Sequence, residues 1–169
     1  MRKKTISRHV FILYSFFFCI PFTAILTAGE IHDAAEKAAI EKTIRASIGW
    51  ALKKDVKLLF DSVVQDSTFF IFHPDSQSTI LGFEPFKNMV EKVFMNEKFR
   101  AIDFAVKQLR IRLSTSGDVA WYSCLLDDHG EWDGRKTGWD NVRWTGVLEK
   151  RAGHWVIMQM HFSLASDKK

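Results

Sequence analysis

The fold of this chain is decided by its closing stretch, residues 142–163, which reads VRWTGVLEKRAGHWVIMQMHFS. Apolar, aromatic and β-branched residues dominate both halves, and Gly153 stands between them, so the stretch predicts two strands joined by a turn. The hairpin places Arg143 and His161 among aromatic side chains. Because buried cations and imidazoles are costly without partners, we expect it to line a pocket rather than a featureless core.

The residues before this hairpin also predict strands. Residues 101–114 alternate in part between apolar and polar side chains, and residues 116–118 read Ser-Gly-Asp, a tight turn. The polar, glycine-containing segment 127–134 predicts a solvated hairpin tip. The four predicted strands are residues 101–114, 119–126, 137–151 and 154–164.

The first half of the chain predicts helices. Residues 33–54 are rich in Ala, Glu and Lys and carry isoleucines at every fourth position from Ile40 to Ile48, which is the pattern of an amphipathic helix. Asp55 is placed to cap a second, short helix that ends at Phe60.

Two further elements precede the long strands. Residues 68–73, TFFIFH, are short, apolar and aromatic, which predicts a strand covered on both faces. The sequence Leu81-Gly82-Phe83 leads into a helix with Pro85 in its first turn. The order helix, helix, strand, helix and four strands favours an α+β domain, whose bent sheet wraps the first helix as a cone.

Residues 1–28 have the pattern of a secretory leader. Four basic and no acidic residues lie in residues 1–9, an apolar run follows from Val10 to Ile20, and Ala28 is a suitable cleavage site. The run is nearly long enough to span a bilayer, so an uncleaved N-terminal anchor is the alternative. The predicted organisation is a leader at 1–28 and one domain at 29–169.

Charge and cysteine content indicate which partners and which cellular compartment suit this protein. The chain has 24 basic and 20 acidic residues, and the excess lies in the leader, so the remainder is balanced and offers nucleic acid no electrostatic attraction. Without the leader, Cys124 is the only cysteine, so no internal disulfide forms. Export without disulfides is common in bacterial periplasmic domains. We therefore expect a bacterial periplasmic or secreted protein, or one anchored in the membrane and facing the periplasm if the leader is uncleaved.

The chain resembles the nuclear transport factor 2-like superfamily, and within it the SnoaL-like, ketosteroid-isomerase-like group. The resemblance spans about residues 33–164 and rests on the element order, on Leu81-Gly82-Phe83, on residues 117–120, and on the Arg143-x-Thr145 and His161-x-Ser163 motifs of the closing hairpin. It implies a cone-shaped α+β roll, with N-terminal helices packed in a strongly curved, mostly antiparallel sheet. The fold hosts isomerases, dehydratases, cyclases, oligomerisation domains and ligand binders, so it does not determine the function.

The resemblance also implies that Arg143 and His161 point into the cone. Strand periodicity then brings Thr145 and Gln159 to the same side, and we place Trp121 and Asp127 inward as well. A guanidinium beside an imidazole would bind a carboxylate or an enolate; alternatively, Arg143 pairs with Asp127 or Asp103 in a structural network. The expected ligand-binding residues are Trp50, Trp121, Arg143, Thr145, Gln159 and His161.

The expected catalytic residues are His73, Asp127 and His161. His73 ends the first strand and is suited to proton transfer, although a solvent-facing histidine is the simpler alternative. The tryptophans offer stacking surfaces for a ligand, or else serve as core and dimer contacts. Segment 127–134 lacks the spacing of a calcium loop, so we expect no metal.

Tyr122 lies on the opposite strand face from Trp121 and Asp127, which argues against ketosteroid isomerase chemistry. The sequence thus predicts an exported cone that binds a small, partly apolar, anionic ligand without cofactor, and that forms a homodimer through its sheet. One alternative is an isomerase- or lyase-type enzyme that uses an inward Asp or His for acid–base catalysis. The other alternative is a structural dimerisation module.

Overall fold

The computed structural model describes residues 28–75 and 78–165. The predicted leader, apart from Ala28, lies outside the described residues. None of the described helices is long and apolar enough to cross a membrane.

Three helical segments form the first part of the fold. Helix α1 spans Ala28–Gly49 and continues into a 3₁₀ turn at Trp50–Leu52, and helix α2 spans Val56–Asp61. The Asp55 carboxylate accepts a hydrogen bond from the Leu58 backbone N–H at 3.0 Å, which confirms the predicted helix cap.

Short strands and a third helix follow. Strands β1 and β2 span Phe70–Phe72 and Ile80–Leu81, and helix α3 spans Phe83–Met89 before a π-helical turn at Val90–Phe94. Pro85 lies in the first turn of α3, as predicted. The prediction that β1 is covered on both faces is wrong: Ile71 is 2% exposed on the inner face, whereas Phe72 is 45% exposed on the outer face.

Four long strands complete the structure: β3 at Phe99–Leu113, β4 at Val119–Trp132, β5 at Arg135–Arg151 and β6 at His154–Ser163. The sheet order is β2-β1-β6-β5-β4-β3, with β1 parallel to β6 and the other pairs antiparallel. The α+β architecture with a mostly antiparallel sheet is confirmed. The hairpin tip predicted at residues 127–134 is wrong, because β4 continues to Trp132 and the turn is confined to Asp133 and Gly134.

One face of the sheet packs on the helices and forms the core. On β5 the inner face carries Val142, Trp144 and Leu148, all fully buried, and on β4 it carries Tyr122 and Leu126. The inner residues are therefore the more apolar set of each strand, as burial requires. This overturns the inward orientation expected for four residues, which lie on the opposite, outer face: Trp121, Asp127, Arg143 and Thr145.

A β-bulge at Met158 changes the side-chain alternation of β6. Val147 of β5 pairs with Gln159, whereas the next residue, Leu148, pairs with Ile157, so Met158 is the extra residue. Trp155 and Ile157 are buried before the bulge, and Met160 and Phe162 are buried after it. The inward orientation expected for Gln159 and His161 is thus also wrong, because strict alternation from Trp155 does not hold past the bulge.

Candidate functional site

A cavity of about 420 Å³ opens between the helices and the inner face of the sheet. Its walls come from the end of α1, the 3₁₀ turn, α3 with its π-helical turn, and the ends of β1, β3, β4 and β6 together with the start of β5. A cavity of this size, lined mainly by apolar side chains with a few polar groups, has the character of a small-molecule site.

Aromatic rings form much of the cavity wall. Phe162 stacks on His73 with a centroid distance of 5.5 Å and an interplanar angle of 9°, and it lies 5.5 Å from Trp139. On another side Phe94 makes edge contacts with Trp50 at 5.9 Å and with Phe99 at 4.9 Å. These rings offer flat apolar surfaces to an occupant.

Two ionisable side chains of the described residues line the cavity, and His73 is one of them. Its Nδ1 atom lies 2.7 Å from the Ser78 carbonyl oxygen. Because a carbonyl only accepts, Nδ1 carries a proton and donates it, so the neutral ring keeps an unprotonated Nε2. Packing against Phe162 and the bond to Ser78 together hold the ring in place.

Asp128 is the other ionisable side chain of the lining. It lies on the inner face of β4 opposite Trp139 of β5, and it makes no hydrogen bond or ion pair with another described residue. Burial raises the pKa of this carboxyl to about 6 from its ordinary value of 3.8; the charge of His129 opposes this rise and that of Asp103 adds to it. A carboxyl in this state can exchange a proton near neutral pH or bind a donor.

Asp127, one residue earlier, lies on the outer face and has a structural role. Its carboxylate accepts hydrogen bonds from Lys107 Nζ at 2.6 and 2.7 Å and from the Asn141 backbone N–H at 2.8 Å. Asn141 has φ of 52° and is the extra residue of a bulge in β5, because Leu126 pairs with Val142 while Asp128 pairs with Trp139. The geometry therefore brings Asp128, not Asp127, to the cavity.

Two of the residues selected from the sequence, Trp50 and His73, line the cavity. The others lie outside it: Trp121, Asp127, Arg143, Thr145, Gln159 and His161. The sequence reasoning missed Asp128, and it considered Trp139 only as one of the tryptophans that offer stacking surfaces. Asp128 has the same strand parity as the apolar Tyr122 and Leu126, and that pattern was the signal available.

The residues outside the cavity lie close together on the outer face of the sheet. Strand pairing aligns Ser123, Thr145, His161 and Phe72 in one row across four strands. A neighbouring row contains Arg112, Trp121, Val147, Gln159 and Phe70.

The alternative that Arg143 pairs with Asp127 or Asp103 is wrong. Asp127 binds Lys107, and Asp103 Oδ1 lies 2.5 Å from His129 Nδ1. His129 Nε2 in turn lies 2.9 Å from Asp140 Oδ1, and hydrogen bonds to these two carboxylates raise the pKa of His129. Among residues 28–75 and 78–165, no group of three or more His, Cys, Asp or Glu side chains is arranged to hold a metal ion.

Solved structures with the same fold have low sequence identity to this chain. A nuclear transport factor 2-like protein from Cytophaga hutchinsonii is 16% identical with a TM-score of 0.60, covering 76% of this chain and 98% of its own. A proposed dehydratase of that family from Streptomyces avermitilis is 14% identical with a TM-score of 0.66, covering 80% and 99%. The association domain of CaMKII from C. elegans is 15% identical with a TM-score of 0.58, covering 79% and 98%.

These likenesses establish the fold alone, since proteins of one fold differ widely in function. No curated protein sequence matches this chain at a significant level. The SnoaL-like domain family, in contrast, matches residues 40–167, which include the strands and most of the helical segments described above. The chain therefore belongs to the SnoaL-like domain family and has the nuclear transport factor 2-like fold.

Proposed function

We propose that this protein binds a small, largely apolar ring compound in its cone. The observation that carries the proposal is the cavity of about 420 Å³, which has aromatic walls and, among the described residues, only two ionisable side chains, Asp128 and His73. Apolar rings gain free energy when they leave water for such a surface, and a few polar groups then orient them.

The negative charge expected for the ligand depended on Arg143 in the cone. Arg143 lies on the outer face, and no lysine or arginine of the described residues lines the cavity. We therefore propose a small, partly apolar ligand that does not carry a negative charge.

Thermal unfolding with neutral ring compounds tests the proposal. We expect tryptophol and 2-naphthol to raise the Tm, because a ligand that binds only the folded state stabilises it by mass action. Trp139→Ala removes one wall of the cavity and should weaken binding about tenfold or more. Trp121→Ala, which removes a tryptophan from the outer face, is the matched control and should leave binding unchanged. Equal losses in both variants, or no Tm rise with any compound, would contradict the proposal.

A second candidate is acid–base catalysis in the same cone. The raised pKa of Asp128 favours it, since this carboxyl can exchange a proton near neutral pH, and the unprotonated Nε2 of neutral His73 offers a hydrogen-bond acceptor in the same cavity. A dehydratase is among the names given to proteins of similar fold. If this candidate is correct, Asp128→Asn stays folded and still binds the substrate but loses turnover, and the wild-type rate falls as the pH drops through about 6.

We also propose that the protein forms a homodimer through the outer face of its sheet. Trp121 and Phe72 are 49% and 45% exposed there, and association with a second copy would remove this apolar surface from water. Two proteins of similar fold are association domains by name. Dimerisation alone, as a structural module, is the corresponding alternative to ligand binding.

Export remains part of the proposal. Residues 1–28 are proposed to direct the domain to the bacterial periplasm or the medium, or to anchor it in the membrane if they are not removed. Cell fractionation followed by intact-mass measurement distinguishes these cases. A full-length mass in the cytoplasmic fraction would contradict both export with cleavage and anchoring in the membrane.

A further inference from the structure

We propose that the cone selects organic cations, specifically aromatic compounds that carry an amine, over neutral and anionic compounds of the same shape. The inference rests on the proposed ligand-binding function and adds the charge of the ligand. It follows from three features of the cavity: its single carboxylate, its aromatic walls and the absence of cationic side chains from its described lining.

The first feature is the unpartnered carboxyl of Asp128. It lines the cavity and makes no hydrogen bond or ion pair with another described residue. Its two charged neighbours, His129 and Asp103, are bound to one another at 2.5 Å outside the cavity. A half-buried carboxylate without a partner is costly, and a ligand ammonium group would supply both a counter-charge and hydrogen-bond donors.

The second feature is the arrangement of rings in the same cavity. Trp139 is paired with Asp128 across β4 and β5, so an aromatic side chain lies beside the carboxylate on the inner face. Trp50, Trp132 and Phe99 line other parts of the wall. The electron-rich faces of such rings attract cations, and tryptophan does so most strongly.

The third feature is the lack of positive charge. No lysine or arginine of the described residues lines the cavity, and the neutral form of His73 presents a hydrogen-bond acceptor at Nε2. A ligand anion would therefore lie near the Asp128 carboxylate, and no lysine or arginine of the described lining would offset the repulsion. A neutral ligand would gain the apolar contacts but not the ion pair.

Three indole compounds that differ chiefly in charge test the inference: tryptamine, tryptophol and indole-3-acetate. Their dissociation constants for the full chain are measured by isothermal titration calorimetry at pH 7.5. We expect tryptamine to bind at least about tenfold more tightly than tryptophol, because one buried ion pair and its cation–π contacts are worth that much, and indole-3-acetate to bind most weakly.

Asp128→Asn keeps the shape of the side chain and removes its charge. We expect this variant to lose the tryptamine preference and to bind tryptophol as the wild type does. Asp133→Asn is the matched control: Asp133 is an exposed turn residue with φ of 52°, a conformation that asparagine tolerates, so the same charge is lost without strain. It should leave all three constants unchanged.

The outcomes separate the inference from the function on which it rests. If tryptophol binds but tryptamine binds no better, or if the preference persists in Asp128→Asn, the charge selection is wrong and ligand binding stands. If no indole compound of any charge binds and no neutral ring compound raises the Tm, both proposals fail.

Discussion

Asp128 is the residue on which most of the proposed chemistry depends, and its burial lowers the stability of the folded state at neutral pH. Burial raises its folded-state pKa to about 6, while in the unfolded chain it stays near its ordinary value of 3.8. Between these two values the folded state holds a proton that the unfolded state has released. The free energy of unfolding therefore falls as the pH rises from about 4 to about 6.

We predict that Asp128→Asn is more stable than the wild type at pH 7.5, by about 1–3 kcal/mol, because the variant has no desolvated carboxylate. Near pH 4 the two proteins should be equally stable, since the carboxyl is protonated in the folded wild type. Urea unfolding at both pH values measures the difference. An advantage of the variant that is the same at both pH values would contradict the assigned cause, and Asp133→Asn serves as the control.

At the scale of elements, Glu36 links helix α1 to the closing hairpin through polar contacts. Glu36 of α1 accepts hydrogen bonds from Lys150 Nζ at 2.6 Å and from the indole N–H of Trp155 at 2.7 Å. Lys150 also lies 5.9 Å from the centre of the Trp155 ring. These bonds lower the pKa of Glu36, so the stability that they contribute is present at neutral pH and is lost on acidification.

We predict that Glu36→Ala lowers the free energy of unfolding by about 1–3 kcal/mol, because it leaves the indole N–H of the largely buried Trp155 without a partner. Glu41→Ala is the matched control. It breaks an ion pair with Arg45 of the same helix that is well exposed on both sides, and such pairs contribute only about 0–1 kcal/mol. Chemical denaturation of both variants measures the effect, and equal losses would show that the contact does not tie α1 to the sheet.

Helix ends and long strands are the features that the sequence predicts correctly. The helix cap at Asp55, the helix start around Pro85 and the four long strands all depend on short-range preferences, and all are confirmed. The prediction of a loop at the polar end of β4 is wrong, because the strand continues to Trp132. Asp127 and His129 lie on the outer face of β4, where polar side chains stay in water and lose no solvation free energy. Polar residues at this position are therefore compatible with a strand as well as with a turn.

At the scale of the whole molecule, the two faces of the sheet have separate proposed roles. The inner face holds the cavity, and the outer face carries Trp121, Phe72 and Arg143. A dimer formed through the outer face would leave the cavity free, so ligand binding and dimerisation are compatible.

We predict that the wild-type protein sediments as a dimer and that Trp121→Glu shifts it to the monomer, because a charge replaces an aromatic contact in a buried interface. Leu52→Glu is the control: Leu52 is similarly exposed, at 46%, but lies in the 3₁₀ turn after α1. Analytical ultracentrifugation with circular dichroism reports assembly and folding together. A monomeric wild type, or a dimer that tolerates Trp121→Glu, would contradict the proposed interface.

The sequence by itself determined the element order, the α+β class and the family, because local propensities and strand alternation are properties of neighbouring residues. It also identified Trp50 and His73 as candidate site residues. Only the tertiary structure decided which strand face is inner and that Met158 and Asn141 form bulges. Since side chains alternate with a period of two, an error of one residue moves a whole set to the other face. That is why Asp127, Arg143 and His161 lie outside the cone and Asp128 lies within it.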